Sequence, residues 1–336
     1  MLNLSELITA FSKLDQVCTP QNQELQAAIQ KSYFENNWLT NDNYWEAINN
    51  WLPILSVENI TNFCSDSEFA KNPKKVGIIM AGNIPMVGFH DLLCVLLSGN
   101  IAVIKPSSDD KHVIPYILKA LTKLNPELAL HYIVVERMDK IDAVIATGSN
   151  NSFRYFEYYF KNIPSLLRKN RKSLAVISGE ESSEELRLLA DDVFKYYGLG
   201  CRNVSLIFIP TGFDFTKILD QFMAFTELSN HNKFANNYTY HRALLLMNSA
   251  DHLDTGFALF QEKRDLNAPL SCIYYTFYDT LNEVYEYISD QEENIQCIVG
   301  KNIQPTFISL GTSQQPDLKD FADNINTFEF LNSLNN

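Results

Sequence analysis

The 336-residue chain has no CxxC pair among its six cysteines and no HxxxH spacing among its histidines. A disulfide framework and a zinc site are therefore not expected, and no metal is assigned. Basic residues are scarce, with 27 Lys and Arg against 40 Asp and Glu and a net charge of −13. That balance excludes a general nucleic-acid binder, because phosphate backbones demand a basic face, and it means an anionic substrate needs a local basic patch. No GxGxxG follows any β-like run, so the usual dinucleotide fingerprint is missing. Long apolar runs are missing too. The most apolar stretch, 76–104, is broken by Asn83, His90, Asp91, Ser98 and Asn100, which suits buried α/β core and not a membrane span. The opening residues place Glu6 in the first turns with no basic-then-apolar pattern, so no secretory signal is read and a cytoplasmic location is expected. There is no internal repeat.

What is present is a 46% hydrophobic chain longer than one compact core usually needs, and two lobes are the default expectation. Up to about residue 62 the apolar residues recur at helical spacing, as in Leu4, Leu7, Ile8 and Phe11. Beyond Lys75 short β-rich runs alternate with helical stretches. Strands are expected at 76–80, 101–104, 131–135, 143–146 and 174–177, then at 206–209, 271–277 and 296–299. That alternation predicts an α/β fold whose parallel sheet binds ligands beyond its strand ends. A helix is expected from near Met86, another over 150–160, and a third over 182–197 opened by a Ser182–Glu185 capping box. The polar end, 328–336, reads as either frayed or docked on a partner subunit.

Four segments carry candidate chemistry. In Gly198-Leu199-Gly200-Cys201 a cysteine follows two glycines and precedes a strand, which leaves backbone N–H groups open beside a nucleophile; the plain alternative is a tight turn with a buried thiol. Asn83, in Ala81-Gly82-Asn83-Ile84-Pro85, ends the first strand, where a side-chain amide either donates to an oxyanion or caps a turn. Lys105 stands at a strand exit before Ser107 and Ser108, placed for a ribose or phosphate or simply for solvent. Thr147, Gly148 and Ser149 follow another strand, where they either cap a helix or admit a cofactor to the backbone. The densest basic run, 168–172, is a candidate dock for phosphates or an ordinary solvated loop.

Taken in order, these segments resemble the aldehyde dehydrogenase superfamily over 76–209. The segment YGLGCRNVS at 197–205, and the tail GTSQQPDLKDFADNINTFEFL at 311–331, look most like the fatty-acyl-CoA reductases, the acyl reductase component of bacterial bioluminescence systems and its relatives. The resemblance implies two α/β lobes: an N-terminal helical layer with a dinucleotide-binding domain (1–178), a catalytic cysteine domain (179–300), and a terminal segment (301–336) that returns to the cofactor domain or joins an oligomer interface. It also implies Cys201 as nucleophile, Asn83 and the Cys201 N–H as oxyanion donors, and Lys105, Ser107, Ser108, Thr147, Gly148 and Ser149 around the cofactor.

Two departures from the superfamily pattern shape the expected chemistry. Aldehyde-oxidising members carry a glutamate in Glu-Leu-Gly-Gly, and the matching stretch here is Val176-Ile177-Ser178-Gly179. Without a base for the hydrolytic water, the acyl-enzyme is left to exchange with a thiol such as coenzyme A, unless Glu180 or Glu181 substitutes. Ser108 stands where NAD-preferring relatives often place a ribose-binding glutamate, which favours NADPH over NADH. The expected activity is NADPH-dependent reduction of an acyl-CoA to the aldehyde. An acyl-phosphate reductase and a non-catalytic acyl-binding or scaffold subunit are the alternatives. A homodimer, or association with an acyl-transferring or acyl-activating enzyme, is the expected assembly.

Overall fold

The computed structural model describes residues 2–65, 67–301 and 303–334, and these divide into two compact units, 1–170 with 317–336, and 171–316. The first begins with helices α1 (Leu4–Ser12), α2 (Gln23–Glu35), α3 (Asn41–Trp51) and α4 (Val57–Phe63). Each starts at a polar cap: Asn3 forms a capping box with Glu6, while Asn22, Thr40 and Ser56 each accept a hydrogen bond from a first-turn N–H. Such caps satisfy donors that a helix start leaves open, at about 1 kcal/mol each.

Five parallel strands follow: β1 (Lys75–Ile79), β2 (Ile101–Lys105), β3 (Tyr132–Val134), β4 (Ala143–Thr147) and β5 (Ser165–Arg168), in the order β3-β2-β1-β4-β5. Their connections include α5 (Phe89–Leu97), α6 (Val113–Leu124) and α7 (Asn150–Tyr159). In α6, Val113, Ile114, Ile117, Leu118 and Leu121 are buried at i, i+3 and i+4 spacing, the mark of a helix with one covered face. The strand order reverses between β1 and β4, and in open α/β sheets that reversal opens a ligand crevice beyond the strand ends.

The second unit is built on β6 (Lys172–Val176), β7 (Val204–Pro210), β8 (Leu253–Asp254), β9 (Leu259–Glu262), β10 (Cys272–Tyr278) and β11 (Ile295–Gly300), ordered β11-β6-β7-β10-β9-β8. All pairs are parallel except β8 with β9. Helices α8 (Ser183–Phe194), α9 (Thr216–Phe222), α10 (Asn232–Met247) and α11 (Leu281–Asp290) connect them. Leu174, Val176, Leu206, Phe208, Tyr274 and Val284 form part of its core. Strand β6 bonds to β7 and β11, so this unit begins at Arg171 and not after residue 178.

The chain then returns to the first unit, where α12 (Thr327–Ser333) buries Phe328 and Leu331. Phe328 lies 4.8 Å from Phe63, ring centre to ring centre, and Phe63 also stacks on Phe321. The terminal helix therefore packs on the first unit of its own chain, as one of the two expectations for segment 301–336 had it, and is not frayed over Thr327–Ser333; Asn335 and Asn336 lie outside the described residues. Among the described residues no helix is long and apolar enough to cross a membrane.

Candidate active site

In the first unit, strand register sets the site. Ile79 pairs with Lys105 on one side and with Ala146 on the other, so the exits of β1, β2 and β4 lie side by side at the reversal of strand order. Asn83, Lys105, Ser107, Ser108, Thr147, Gly148 and Ser149 thus all sit along this one edge of the sheet. Asn83 is exposed, on a loop that runs from Ala81 to Gly88 before α5 begins. Gly82 is required there, because a Cβ would stand 2.6 Å from both Cβ and Oγ of Ser107. The loop after β1 and the turn after β2 therefore pack directly on each other.

The turn after β2 is closed by a bridge between Ser107 and Asp110 and by the Asp109 N–H donating to Ser107 Oγ at 3.2 Å. Ser108 is exposed in that turn. The Lys105 ammonium makes no hydrogen bond or ion pair with the described residues, so the strand exit offers a cation to an anionic ligand. After β4, Ser149 caps α7 by accepting from the Ser152 N–H at 3.3 Å. A Cβ on Gly148 would meet Ser152 Cβ at 2.8 Å and Phe156 Cε2 at 2.9 Å. The glycine is thus demanded by the close approach of α7, whose positive end points toward the same edge. A lysine with no partner among the described residues, small hydroxyl residues and a helix start are donor chemistry that fits a dinucleotide.

Cys201 belongs to the second unit, in the turn between α8 and β7. The helix expected to reach residue 197 stops at Phe194, because Tyr196, Tyr197 and Gly198 take left-handed φ values of 52°, 60° and 76°. For the two tyrosines this conformation costs about 1–2 kcal/mol each. Asn203 holds the turn. Its Oδ1 accepts from the Gly200 N–H at 2.8 Å, while its Nδ2 donates to the carbonyls of Lys195 (2.8 Å), Val193 (3.2 Å) and Asp192 (3.3 Å). From below, Ser173 Oγ donates to the Cys201 carbonyl at 3.0 Å.

Cys201 and Cys297 are partly exposed, and the other four cysteines are buried. Burial pushes the thiols of Cys18, Cys64 and Cys272 up to about 12, and that of Cys94 well above its ordinary value. Cys297, 3.1 Å from Ser173 Oγ, is raised to about 11, burial outweighing Arg202. Cys201 is partly exposed, at a turn that a buried structural thiol would not need. Lys172 is a neighbour that sequence reasoning placed only within a basic run: burial pushes its ammonium below the usual lysine value while Cys201 pulls it upward.

Within that basic run both arginines are engaged in the fold. Arg168 is buried in the first unit against Asp91, and Arg171 donates to the Ile295 carbonyl at 3.1 Å in the second. The position of the superfamily's hydrolytic glutamate and the role of Glu181 are also accounted for. Val176 is buried in β6, and the Glu181 carboxylate accepts from Ser178 N (2.7 Å), Ser178 Oγ (2.8 Å) and Gly179 N (2.9 Å), closing the turn before α8. This turn-closing role is the one its surroundings support, and it leaves Glu181 poorly placed to serve as a base.

Asp192 anchors the segment at 311–313, accepting from Gly311 N (2.6 Å) and Ser313 N (2.9 Å), while Arg202 donates to the Ser313 carbonyl at 3.4 Å. Burial raises the Asp192 carboxyl from 3.8 to about 6. The folded protein therefore keeps a proton that the unfolded chain loses first, and this group's contribution to stability falls as pH rises between those values, then levels off. The expected difference is about 3 kcal/mol across that window. Denaturation followed by circular dichroism should show that pH-dependent component in the parent and not in Asp192→Asn; identical pH profiles would rule it out.

Among the described residues no group of three or more His, Cys, Asp or Glu is placed to hold a metal ion. Residues 59–220 match the family described as acyl-CoA reductase (LuxC), a stretch that contains Asn83, Lys105, Thr147 to Ser149 and Cys201. No curated protein matches the sequence. Similar solved structures include an aldehyde dehydrogenase from Bacillus cereus in complex with NAD+, 14% identical over 90% of this chain and 73% of that one, with a TM-score of 0.62. The Mycobacterium tuberculosis aldehyde dehydrogenase complexed with NAD+ gives the same four values. An indole-3-acetaldehyde dehydrogenase complexed with NAD+ is 12% identical over 90% and 73%, with a TM-score of 0.65. At these identities the likeness is one of fold.

Proposed function

We propose that the chain is an acyl-CoA reductase built on the aldehyde dehydrogenase fold, and that it reduces an acyl-CoA thioester to the aldehyde through an acyl group held on Cys201. The observation that carries this reading is the partly exposed Cys201 on a strained, glycine-flanked turn within the family segment. The Cys201 sulfur attacks the thioester carbonyl, forming a new C–S bond. The oxyanion is received by the Cys201 N–H and the Asn83 amide, and coenzyme A leaves as the thiolate. A bound nicotinamide cofactor supplies the hydride, and the Cys201 thiolate departs as the aldehyde forms. With Val176 buried where a hydrolytic glutamate would stand, and Glu181 closing its turn, this chain's own residues give water no base at that position.

NADPH is the favoured cofactor. Ser108 leaves room for a 2′-phosphate where a carboxylate would repel it, and the Lys105 ammonium is free to meet it. Asp109 puts a carboxylate one residue further on, so the NADPH and NADH rates must be compared directly. A panel of acyl-CoAs of increasing length should yield aldehyde and oxidised cofactor one for one, faster with NADPH. Asn83→Ala should lower kcat by about 10²–10³-fold, the usual loss for one oxyanion donor. Cofactor oxidation with none of the thioesters would end the proposal.

A further inference from the structure

Asn83 is exposed, yet the loop that carries it is mounted on buried polar groups. The Asp110 carboxylate, 4% exposed, accepts from Tyr44 Oη at 2.6 Å and from the Met86 N–H at 3.2 Å. It joins three segments: helix α3, the loop after β1, and the turn after β2. Met86 is held at φ 60°, a conformation a methionine adopts at a cost, and its N–H bond to Asp110 fixes it there. Pro85, with φ restricted by its ring, lies between Met86 and Asn83. On the other side of Asn83, Gly82 lies flat against Ser107, three residues before Asp110. Asn83 is therefore fixed from both sides by the turn that follows the Lys105 strand.

Burying a carboxylate here works against stability. Burial pushes the Asp110 carboxyl above its ordinary value, the bonds from Tyr44 and Met86 opposing it only in part. An apolar residue would fill the space without that penalty, so the bonds the carboxylate directs are the reason to look for a role beyond packing.

We propose that Asp110, oriented by Tyr44, is a positioning residue that sets the Asn83 amide for the oxyanion. This rests on the acyl-transfer reading above, and its distinctive consequence is that Asp110 acts through Asn83. The test is a double-mutant cycle on kcat with an acyl-CoA and the preferred cofactor, with thermal stability and cofactor binding by fluorescence followed in every variant. Asp110→Ala should lower kcat by up to about 10²-fold, the scale of a displacement near 1 Å, with cofactor affinity changing little. Asp110→Asn, which keeps an acceptor for Met86, should restore most of kcat. In an Asn83→Ala background, Asp110→Ala should cause no further loss, because the group it positions is already gone.

If Asp110→Ala fails to fold, Tyr44→Phe, which removes one hydroxyl, carries the same cycle with a smaller first effect. A full loss repeated in the Asn83→Ala background overturns the positioning role while leaving the oxyanion assignment intact. Wild-type kcat in Asn83→Ala overturns that assignment, and the positioning role with it.

Discussion

Replacing Cys201 with alanine is expected to abolish covalent labelling by an acyl-CoA and to lower turnover on the order of 10⁴-fold or more, as removal of a catalytic nucleophile does. Intact mass measured after mixing enzyme with acyl-CoA in the absence of cofactor should show one added acyl group on the parent protein and none on the variant. The fold should survive, since the side chain is small, partly exposed and outside the central strands. The informative control is Cys297→Ala. That thiol lies close enough to Ser173 and Cys201 to be a rival, but burial raises it to about 11 and leaves it mostly protonated at neutral pH. Labelling retained in Cys297→Ala and lost in Cys201→Ala assigns the nucleophile. The opposite pattern would move the chemistry to Cys297.

The second large effect is on stability. Arg168, at the end of β5, is 1% exposed and donates through Nη2 to Asp91 Oδ1 at 2.7 Å and to Thr327 Oγ1 at 2.9 Å, and through Nη1 to the Ala322 carbonyl. Burial works against its charge, and Asp91 more than offsets this, holding the guanidinium above its ordinary value. The pair therefore fastens the returning terminal segment to helix α5 and the first sheet. Arg168→Ala leaves Asp91 charged, buried and unpaired, and should cost about 3–5 kcal/mol. Trp38, Trp45 and Trp51 all lie in the first unit, so tryptophan fluorescence during urea unfolding reads this loss directly. The paired replacement Arg168→Met with Asp91→Leu should recover most of it, because no charge is stranded. A loss below about 1 kcal/mol for Arg168→Ala would show that the pair merely balances its own desolvation.

Features written over a few neighbouring residues were legible in the sequence. The apolar runs of β1, β2 and β4 lie within a residue or so of their expected places, as does the Ser182–Glu185 capping box that opens α8. Strand β5 escaped notice because only Leu166 and Leu167 are apolar within it, and its last residue reads as the start of a basic loop. Pairing with β4 is what makes it a strand. The β8–β9 hairpin, with strands of two and four residues, carried too short a pattern to read. Helix α5 begins at Phe89 and not near Met86, since Asp110 holds Met86 in a left-handed conformation that no helix accommodates.

By itself the sequence determined the alternation of strands and helices, the glycine-flanked turn around Cys201, and the absence of a carboxylate at Val176, because each is set by residues within about ten positions of one another. The tertiary structure alone decided the strand order that lines up Asn83, Lys105 and Gly148, the burial of Arg168 in what looked like a solvated run, and the mounting of the Asn83 loop on Asp110 and Tyr44. Those features join residues as far apart as Asp91 and Thr327, and no local pattern encodes which distant partner satisfies a buried charge or an N–H.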